Sequence, residues 1–177
     1  NNPGGYDLTW TRSGGTVSAT GNSMDYHLSG NVPINVTRTT KVFRVALDKD
    51  GGSGGTDAVY LKYATGWYSN AAATANITKV SIPEKGPDGK PLATSAWTFA
   101  GYKGKDKNGN EFVYVDSSGN LKNSSSWWSD FTSDTTLTAV WTKSVKLERE
   151  GGTGGSTSAT YIKGKGFTST ITKPTAP

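Results

Sequence analysis

Side chains that could do chemistry are few and scattered in this chain of 177 residues. The sequence contains one histidine, His27, and no cysteine. A hydrolytic triad needs a nucleophile, a base and an orienting group within reach of one another, and no G-x-S-x-G motif accompanies His27. Without cysteine, disulfides and thiolate metal sites are excluded. We therefore predict no catalytic residues and interpret His27 as a half-exposed strand residue.

Carboxylates occur in two close pairs, Asp48 with Asp50 and Glu148 with Glu150, which invites comparison with a glycosidase. Both pairs lie beside a Gly-Gly turn, however, and this is typical of a solvated strand end. Segments 48–51 and 106–111 invite a calcium interpretation, because hard cations prefer several oxygen ligands on a tight loop. Gly109 is fourth in its loop, whereas an EF-hand glycine is sixth, and neighbouring lysines repel a cation. We expect ordinary turns here, with no metal and no other cofactor.

The adjacent pair Trp127 and Trp128 is the best candidate for a ligand contact. Neighbouring residues of a strand point to opposite faces, so one indole must leave the core unless another segment covers it. An exposed tryptophan could stack on a sugar or anchor a protein partner. The alternative is that both indoles pack beneath the long insert around them.

The elements that would position these residues are strands. Apolar and polar residues alternate in segments 43–47 and 59–63, and further strands are predicted at 97–102, 111–115, 136–141, 143–147 and 160–163. Asp88-Gly89, Asn108-Gly109 and Ser118-Gly119-Asn120 favour tight turns, because Gly and Asn tolerate positive φ. No long window has helical periodicity. The chain is therefore predicted to be all-β or mostly β.

Charge and hydropathy restrict the partners. The formal net charge is +5, but Lys and Arg are interspersed with Asp and Glu, so no nucleic-acid partner is expected. No apolar run approaches the roughly 18 residues of a membrane span, so no membrane insertion is expected. The first residues have neither the basic nor the apolar part of an export signal, and we expect that any export signal or anchor has been removed or lies outside this chain.

One stretch of the chain returns later in similar form. Residues 45–55, VALDKDGGSGG, recur as residues 145–155, VKLEREGGTGG, one hundred positions further on. Hydrophobic, acidic and glycine positions coincide. The match continues from Tyr60-Leu61-Lys62 to Tyr161-Ile162-Lys163 and from Gly66-Trp67 to Gly166-Phe167. Internal similarity of this kind predicts repeated structural units.

The order of these elements resembles the Listeria–Bacteroides repeat, which is related to the B-repeat of internalin-type surface proteins. The resemblance rests on the strand and Gly-Gly turn at 47–55, the strand at 59–63, Ile82-Pro83, the aromatic segment WTFAGY at 97–102, and TLTAVW at 136–141. It implies compact, β-grasp-like units, secretion to the bacterial cell surface, and tandem use in stalks and adhesins. Inserts at 87–93 and 120–129 make this unit longer than the usual one.

Three segments follow from the resemblance. Residues 42–142 form a complete repeat with insertions. Residues 1–41 are the back half of a repeat, with GYDLTW at 5–10 as the aromatic segment and 31–39 as the closing strand, where Arg38 stands in the place of Trp141. Residues 143–177 are the front half of a repeat. Val45, Leu47, Val59, Leu61, Phe99, Leu137 and Ala139 are predicted to be buried in the complete unit.

Two half repeats predict assembly. We expect copies of the chain to complete each other head to tail as subunits of an extracellular stalk or filament. The expected interface residues are Tyr6, Leu8, Trp10, Ile34 and Val36 from the back half, and Val145, Leu147, Tyr161, Ile162 and Phe167 from the front half. The alternatives are that both halves meet within one chain, that the sequence is a piece of a longer repeat array, or that it is an adhesin module binding glycans or host proteins.

Overall fold

Strands and turns make up the computed structural model, which describes residues 4–12, 15–17, 34–122 and 128–177. No helix is present in these ranges, so the prediction of an all-β chain is confirmed. No described helix, accordingly, offers the length and hydropathy needed to cross a membrane. The described ranges contain eleven strands. They are β1 (Tyr6–Arg12), β2 (Gly15–Val17), β3 (Ile34–Thr40), β4 (Val42–Asp48), β5 (Ala58–Lys62), β6 (Gly66–Tyr68), β7 (Thr98–Lys105), β8 (Glu111–Val115), β9 (Thr135–Lys146), β10 (Ser158–Ile162) and β11 (Gly166–Phe167).

The strands form two sheets. The small sheet is antiparallel and has the order β2-β1-β3. The large sheet has the order β11-β10-β9-β4-β5-β6, and β7 and β8 join it because β7 pairs with β9. All of its pairings are antiparallel except that of β4 with β9, which is parallel. The predicted strands at 136–141 and 143–147 are one continuous strand in the structure, β9.

The core lies within residues 42–142. Alternate residues of β4 and β9 face inward, which is the burial pattern that a half-buried strand requires. All seven residues predicted for the core are buried, as is a set of large aromatic side chains between the strands. These aromatics are Trp67, Phe99, Tyr102, Tyr114, Phe131 and Trp141.

Residues 69–97 connect β6 to β7 through turns and isolated bridges. The bridges join Lys79 to Asn120 and Ser53 to Lys85, so this segment is tied to the turns of neighbouring hairpins. Within this segment Val80 and Pro83 are buried, and Ile82 packs against the core. The long connection therefore closes one side of the aromatic core.

Candidate functional site

Two hairpins of the large sheet have nearly the same hydrogen bonding. Leu47 donates its amide to the Asp57 carbonyl at 2.8 Å, and Leu147 donates to the Thr157 carbonyl at 2.9 Å. Each turn closes with a second bond, from Gly52 to the Lys49 carbonyl at 3.0 Å and from Gly152 to the Arg149 carbonyl at 2.8 Å. Asp50 and Glu150, which precede the Gly-Gly pairs, both have positive φ. The similar sequences at 45–55 and 145–155 thus take up the same local structure.

The small sheet has the same strand arrangement as β8-β7-β9 of the large sheet. In both, the middle strand is antiparallel to its two neighbours. The pairs correspond as well. Leu8 lies opposite Arg38 as Phe99 lies opposite Trp141, and Trp10 lies opposite Val36 as Tyr102 lies opposite Ala139. A bulge in β7 accounts for the extra residue between its two pairs. With Arg38 aligned to Trp141 as predicted, the partners on β1 and β7 thus correspond apart from this bulge.

The described part of the chain leaves three large hydrophobic residues well exposed, and all lie outside the complete unit. They are Val36 at 50 %, Phe167 at 48 % and Ile171 at 42 % of their full accessibility. Phe167 pairs with Tyr161 as the fully buried Trp67 pairs with Leu61. The pairing thus makes Tyr161 the counterpart of Leu61 and not of Tyr60, as the sequence match had it. Ile171 precedes Thr172, whose carbonyl accepts from Ser156 as that of Ser81 accepts from Thr56, so its counterpart is the buried Val80. The counterpart of Val36 is Ala139, which is also buried. In the predicted repeat alignment, the three exposed residues thus correspond to residues that are buried within 42–142.

The residues predicted for a subunit interface fall into two groups that the structure keeps in different sheets. Tyr6, Leu8 and Trp10 are half-buried on β1, and Val36 is exposed on β3, while for Ile34 the structure describes the strand position alone. Val145, Leu147, Tyr161 and Ile162 are half-buried on the hairpin of β9 and β10. Among the described residues, no strand of the small sheet pairs with a strand of the large one. Within the described ranges, strand pairing thus does not join the segment before residue 42 to the segment after residue 142.

Both flanking segments instead contact residues 42–142. The ring of Tyr6 packs edge-on against Tyr63 with centroids 5.2 Å apart, and the Gly5 carbonyl accepts from the Lys41 amide at 2.9 Å. On the other side, Tyr161 packs against Trp97 at 6.2 Å. These aromatic contacts hold both halves against residues 42–142.

Ion pairs strengthen the contact between the β10-β11 hairpin and residues 42–142. Lys163 donates to a carboxylate oxygen of Asp50 at 2.6 Å, and Lys165 binds Glu111 at 2.6 Å. The Lys165 ammonium lowers the pKa of Glu111 below its ordinary value. A cleft of about 360 Å³ lies beside these pairs, with Lys103 and Lys105 also on its wall. Lys103 also lies 4.0 Å from Glu111, so three of these four lysines have a carboxylate partner. The pairs of Lys163 and Lys165 tie the hairpin after β10 to the sheet. Sequence reasoning missed these pairs, because partners 113 and 54 positions apart leave no local pattern.

The loops considered for calcium are built from internal hydrogen bonds. One carboxylate oxygen of Asp106 accepts from the amides of Asn108 and Asn110, each at 2.8 Å, and the Asn110 bond is the main cause that lowers the pKa of Asp106. In the other loop considered for calcium, 48–51, a carboxylate oxygen of Asp48 accepts from the Asp50 amide at 2.9 Å. Asp116, at a turn not considered for calcium, has Asn120 as its chief partner. Among the described residues, no three His, Cys, Asp or Glu side chains lie close enough to hold a metal ion. These carboxylates therefore stabilise turns.

The remaining candidates are the tryptophan pair and the histidine. Trp128 is half-buried and packs against the core, and its carbonyl accepts from the Ala64 amide at 3.0 Å. Its indole ring also lies close to Gly66. Trp127 and His27 lie outside the described residues. A ligand contact at this pair stays a prediction, and the packing of Trp128 favours the alternative of a covered indole.

Comparison of the chain with protein-family models, with curated proteins and with solved structures found no match. The fold and the site together define an all-β protein whose exposed apolar residues lie in two segments flanking one well-packed unit. The resemblance to the Listeria–Bacteroides repeat and the repeat boundaries remain predictions.

Proposed function

We propose that the chain is a non-catalytic structural subunit of a bacterial cell-surface stalk or filament, in which copies associate head to tail. One observation carries the proposal. Val36, Phe167 and Ile171 are exposed although their counterparts in the complete unit are buried. Apolar surface of this kind is stabilised when a partner covers it, at roughly 25 cal/mol per Å².

The head-to-tail arrangement follows from where these residues lie. Val36 is on β3 at the edge of the small sheet, and Phe167 and Ile171 are on or after β11 at an edge of the large sheet. A contact between two different surfaces is heterologous, so it generates an open chain unless the rotation closes a ring. Association of the small sheet of one copy with the β10-β11 hairpin of the next would therefore propagate.

The experiment is to measure the mass distribution of the purified chain by sedimentation velocity over a wide concentration range. We expect a ladder of oligomers that grows with concentration. Phe167→Ser and Ile171→Ser should each weaken association about three- to tenfold, because only about half of each side chain is left to bury and full burial contributes about 1.5–3 kcal/mol. Lys107→Ser, on the exposed turn after β7, is the matched control and should leave the ladder unchanged.

A chain that stays monomeric at every concentration would contradict the proposal. Oligomers that persist unchanged in both serine variants would also contradict it, since the contact would then lie elsewhere. Far-ultraviolet circular dichroism of each variant checks that the fold is retained. Because Phe167 and Ile171 are about half exposed, their replacement should have little effect on the isolated subunit.

A further inference from the structure

Resting on the proposed function, we further propose the register of the joint between copies. Leu147 and Glu148 of one copy pair in parallel with Ile34 and Asn35 of the next copy. Arg38 of that next copy occupies the place that Trp141 has in the complete unit. The joint is thus an intermolecular version of the parallel pairing that β4 and β9 already make within the chain.

The template for this joint is the pairing of β4 with β9. Leu47 lies opposite Leu137 and Asp48 lies opposite Thr138 in that parallel ladder. Leu47 and Leu137 are both buried, whereas Asp48 and Thr138 are both exposed. Because side chains alternate along a strand, the ladder has one inward and one outward pair at this point.

Both strands of the template have a counterpart in the incomplete units. Leu147 corresponds to Leu47, since each amide bonds the carbonyl at the start of the returning strand. Ile34 corresponds to Leu137, because Ile34 lies four positions before Arg38 as Leu137 lies four before Trp141. Carried to the joint, the template places Leu147 opposite Ile34 and Glu148 opposite Asn35.

The strand edges needed for this pairing are open in the described part of the chain. Residues 142–146 of β9 pair with β10 on one side. On the other side, the pairing with β7 reaches only as far as Thr142, which lies opposite Thr98, the first residue of β7. β3 is the edge strand of its sheet and pairs with β1 alone. An exposed edge presents unpaired amides and carbonyls, and a second strand satisfies them.

Charged residues at the turn after Leu147 also favour pairing with the strand that contains Arg38. In the complete unit, the indole of Trp141 donates to the Lys49 carbonyl at 2.8 Å, in addition to the bond from Gly52. The corresponding carbonyl of Arg149 has the bond from Gly152, and it is flanked by the exposed carboxylates of Glu148, which pairs with Lys146 at 2.8 Å, and of Glu150.

Arg38 provides the opposite charge. It is exposed, and its guanidinium lies 4.2 Å from the centre of the Tyr6 ring. Placed at the turn in the position of Trp141, it can donate to the Arg149 carbonyl between two carboxylates. The joint therefore includes a salt-sensitive element that the complete unit lacks.

Disulfide trapping tests the register, because the chain has no cysteine of its own. Glu148→Cys and Asn35→Cys are prepared as separate proteins, mixed and oxidised mildly. Paired strands are about 4.8 Å apart, within the Cα separation that a disulfide accepts, whereas a position two residues along is roughly 8 Å away. We expect rapid covalent heterodimers from this mixture, slow trapping when Thr37→Cys replaces Asn35→Cys, and little from Glu148→Cys alone.

The outcomes separate the register from the proposed function. If sedimentation shows oligomers but Thr37→Cys traps faster than Asn35→Cys, the register is wrong while head-to-tail assembly stands. If no oligomers form, the proposed function is wrong, and the register proposed on it is wrong as well. Arg38→Gln supplies a second readout: association should weaken at low salt and depend less on salt than in the unmodified chain. An unchanged salt dependence in Arg38→Gln would show that Arg38 makes no contact in the joint.

Discussion

The indole nitrogen of Trp141 donates a 2.8 Å hydrogen bond to the carbonyl oxygen of Lys49, a residue 92 positions earlier in the chain. The indole also fills the space above Gly52, where a Cβ atom would come within 2.5 Å of the ring. Trp141, the last residue of the TLTAVW segment, thus packs on the Gly-Gly turn near the start of residues 42–142. This contact joins the beginning of residues 42–142 to their end.

Replacing Trp141 with Phe should destabilise the chain by about 1–3 kcal/mol, because it removes a buried hydrogen bond and leaves a cavity. Urea unfolding followed by fluorescence measures the change. Trp97→Phe is the matched control, since Trp97 is half-buried against Tyr161, and it should cost about 1 kcal/mol or less. Equal losses in the two variants would show that the contact with Lys49 has no special importance.

Gly52→Ala should be more destabilising than an ordinary glycine substitution in a turn. The added methyl group would meet Trp141 at 2.5 Å and the Lys85 carbonyl at 2.9 Å, so the turn or the indole must move. Gly89→Ala is the comparison, because its Cβ meets nothing within 4 Å and only the φ of +73° is unfavourable. We expect a cost of about 1–2 kcal/mol for Gly89→Ala and a larger one for Gly52→Ala, from thermal unfolding. The reverse order would refute this role of Gly52.

The two buried tyrosines should respond oppositely to replacement by phenylalanine. The Tyr102 hydroxyl is buried and has no hydrogen-bond partner among the described residues, so Tyr102→Phe should be neutral or stabilising. The Tyr114 hydroxyl donates to Asp130 at 2.8 Å, so Tyr114→Phe should cost about 1–3 kcal/mol by leaving that carboxylate without its partner. Denaturant midpoints of the two variants decide the matter. A loss at Tyr102 as large as at Tyr114 would be inconsistent with this account.

Stability should fall at alkaline pH. Burial raises the pKa of Tyr102 from 10.0 to about 12, with the charges of Asp57 and Asp48 adding to the effect. Burial also raises the pKa of Tyr114, helped by its bond to Asp130. A group whose pKa is raised by folding contributes stability below its unfolded pKa and loses it as pH rises toward the folded value. The free energy of unfolding should therefore decrease between pH 10 and 12.

Chemical unfolding at a series of pH values tests this expectation. Tyr102→Phe should flatten part of the decrease, since one of the two phenols is then absent. Tyrosinate absorbance, titrated in parallel, should show late ionisation of both groups in the folded chain. A free energy that stays constant through this range would contradict the assignment.

Local patterns were enough to predict the fold class, most strands and the core of this protein. Val45, Leu47, Val59 and Leu61 alternate with polar neighbours, and a strand with one buried face leaves that signal in any sequence. The turns at Gly109 and Gly119 were predictable for a similar reason, because positive φ restricts the residue type. The repeated Gly-Gly segments also predicted their common hairpin.

Only the tertiary structure decided which elements meet and which stay open. The parallel pairing of β4 with β9, the Trp141 bond to Lys49 and the ion pairs of Lys163 and Lys165 join residues far apart in sequence. Such contacts depend on chain topology, and periodicity carries no information about them. The exposure of Ile171 was equally hidden, because an apolar residue has the same pattern whether or not a partner covers it.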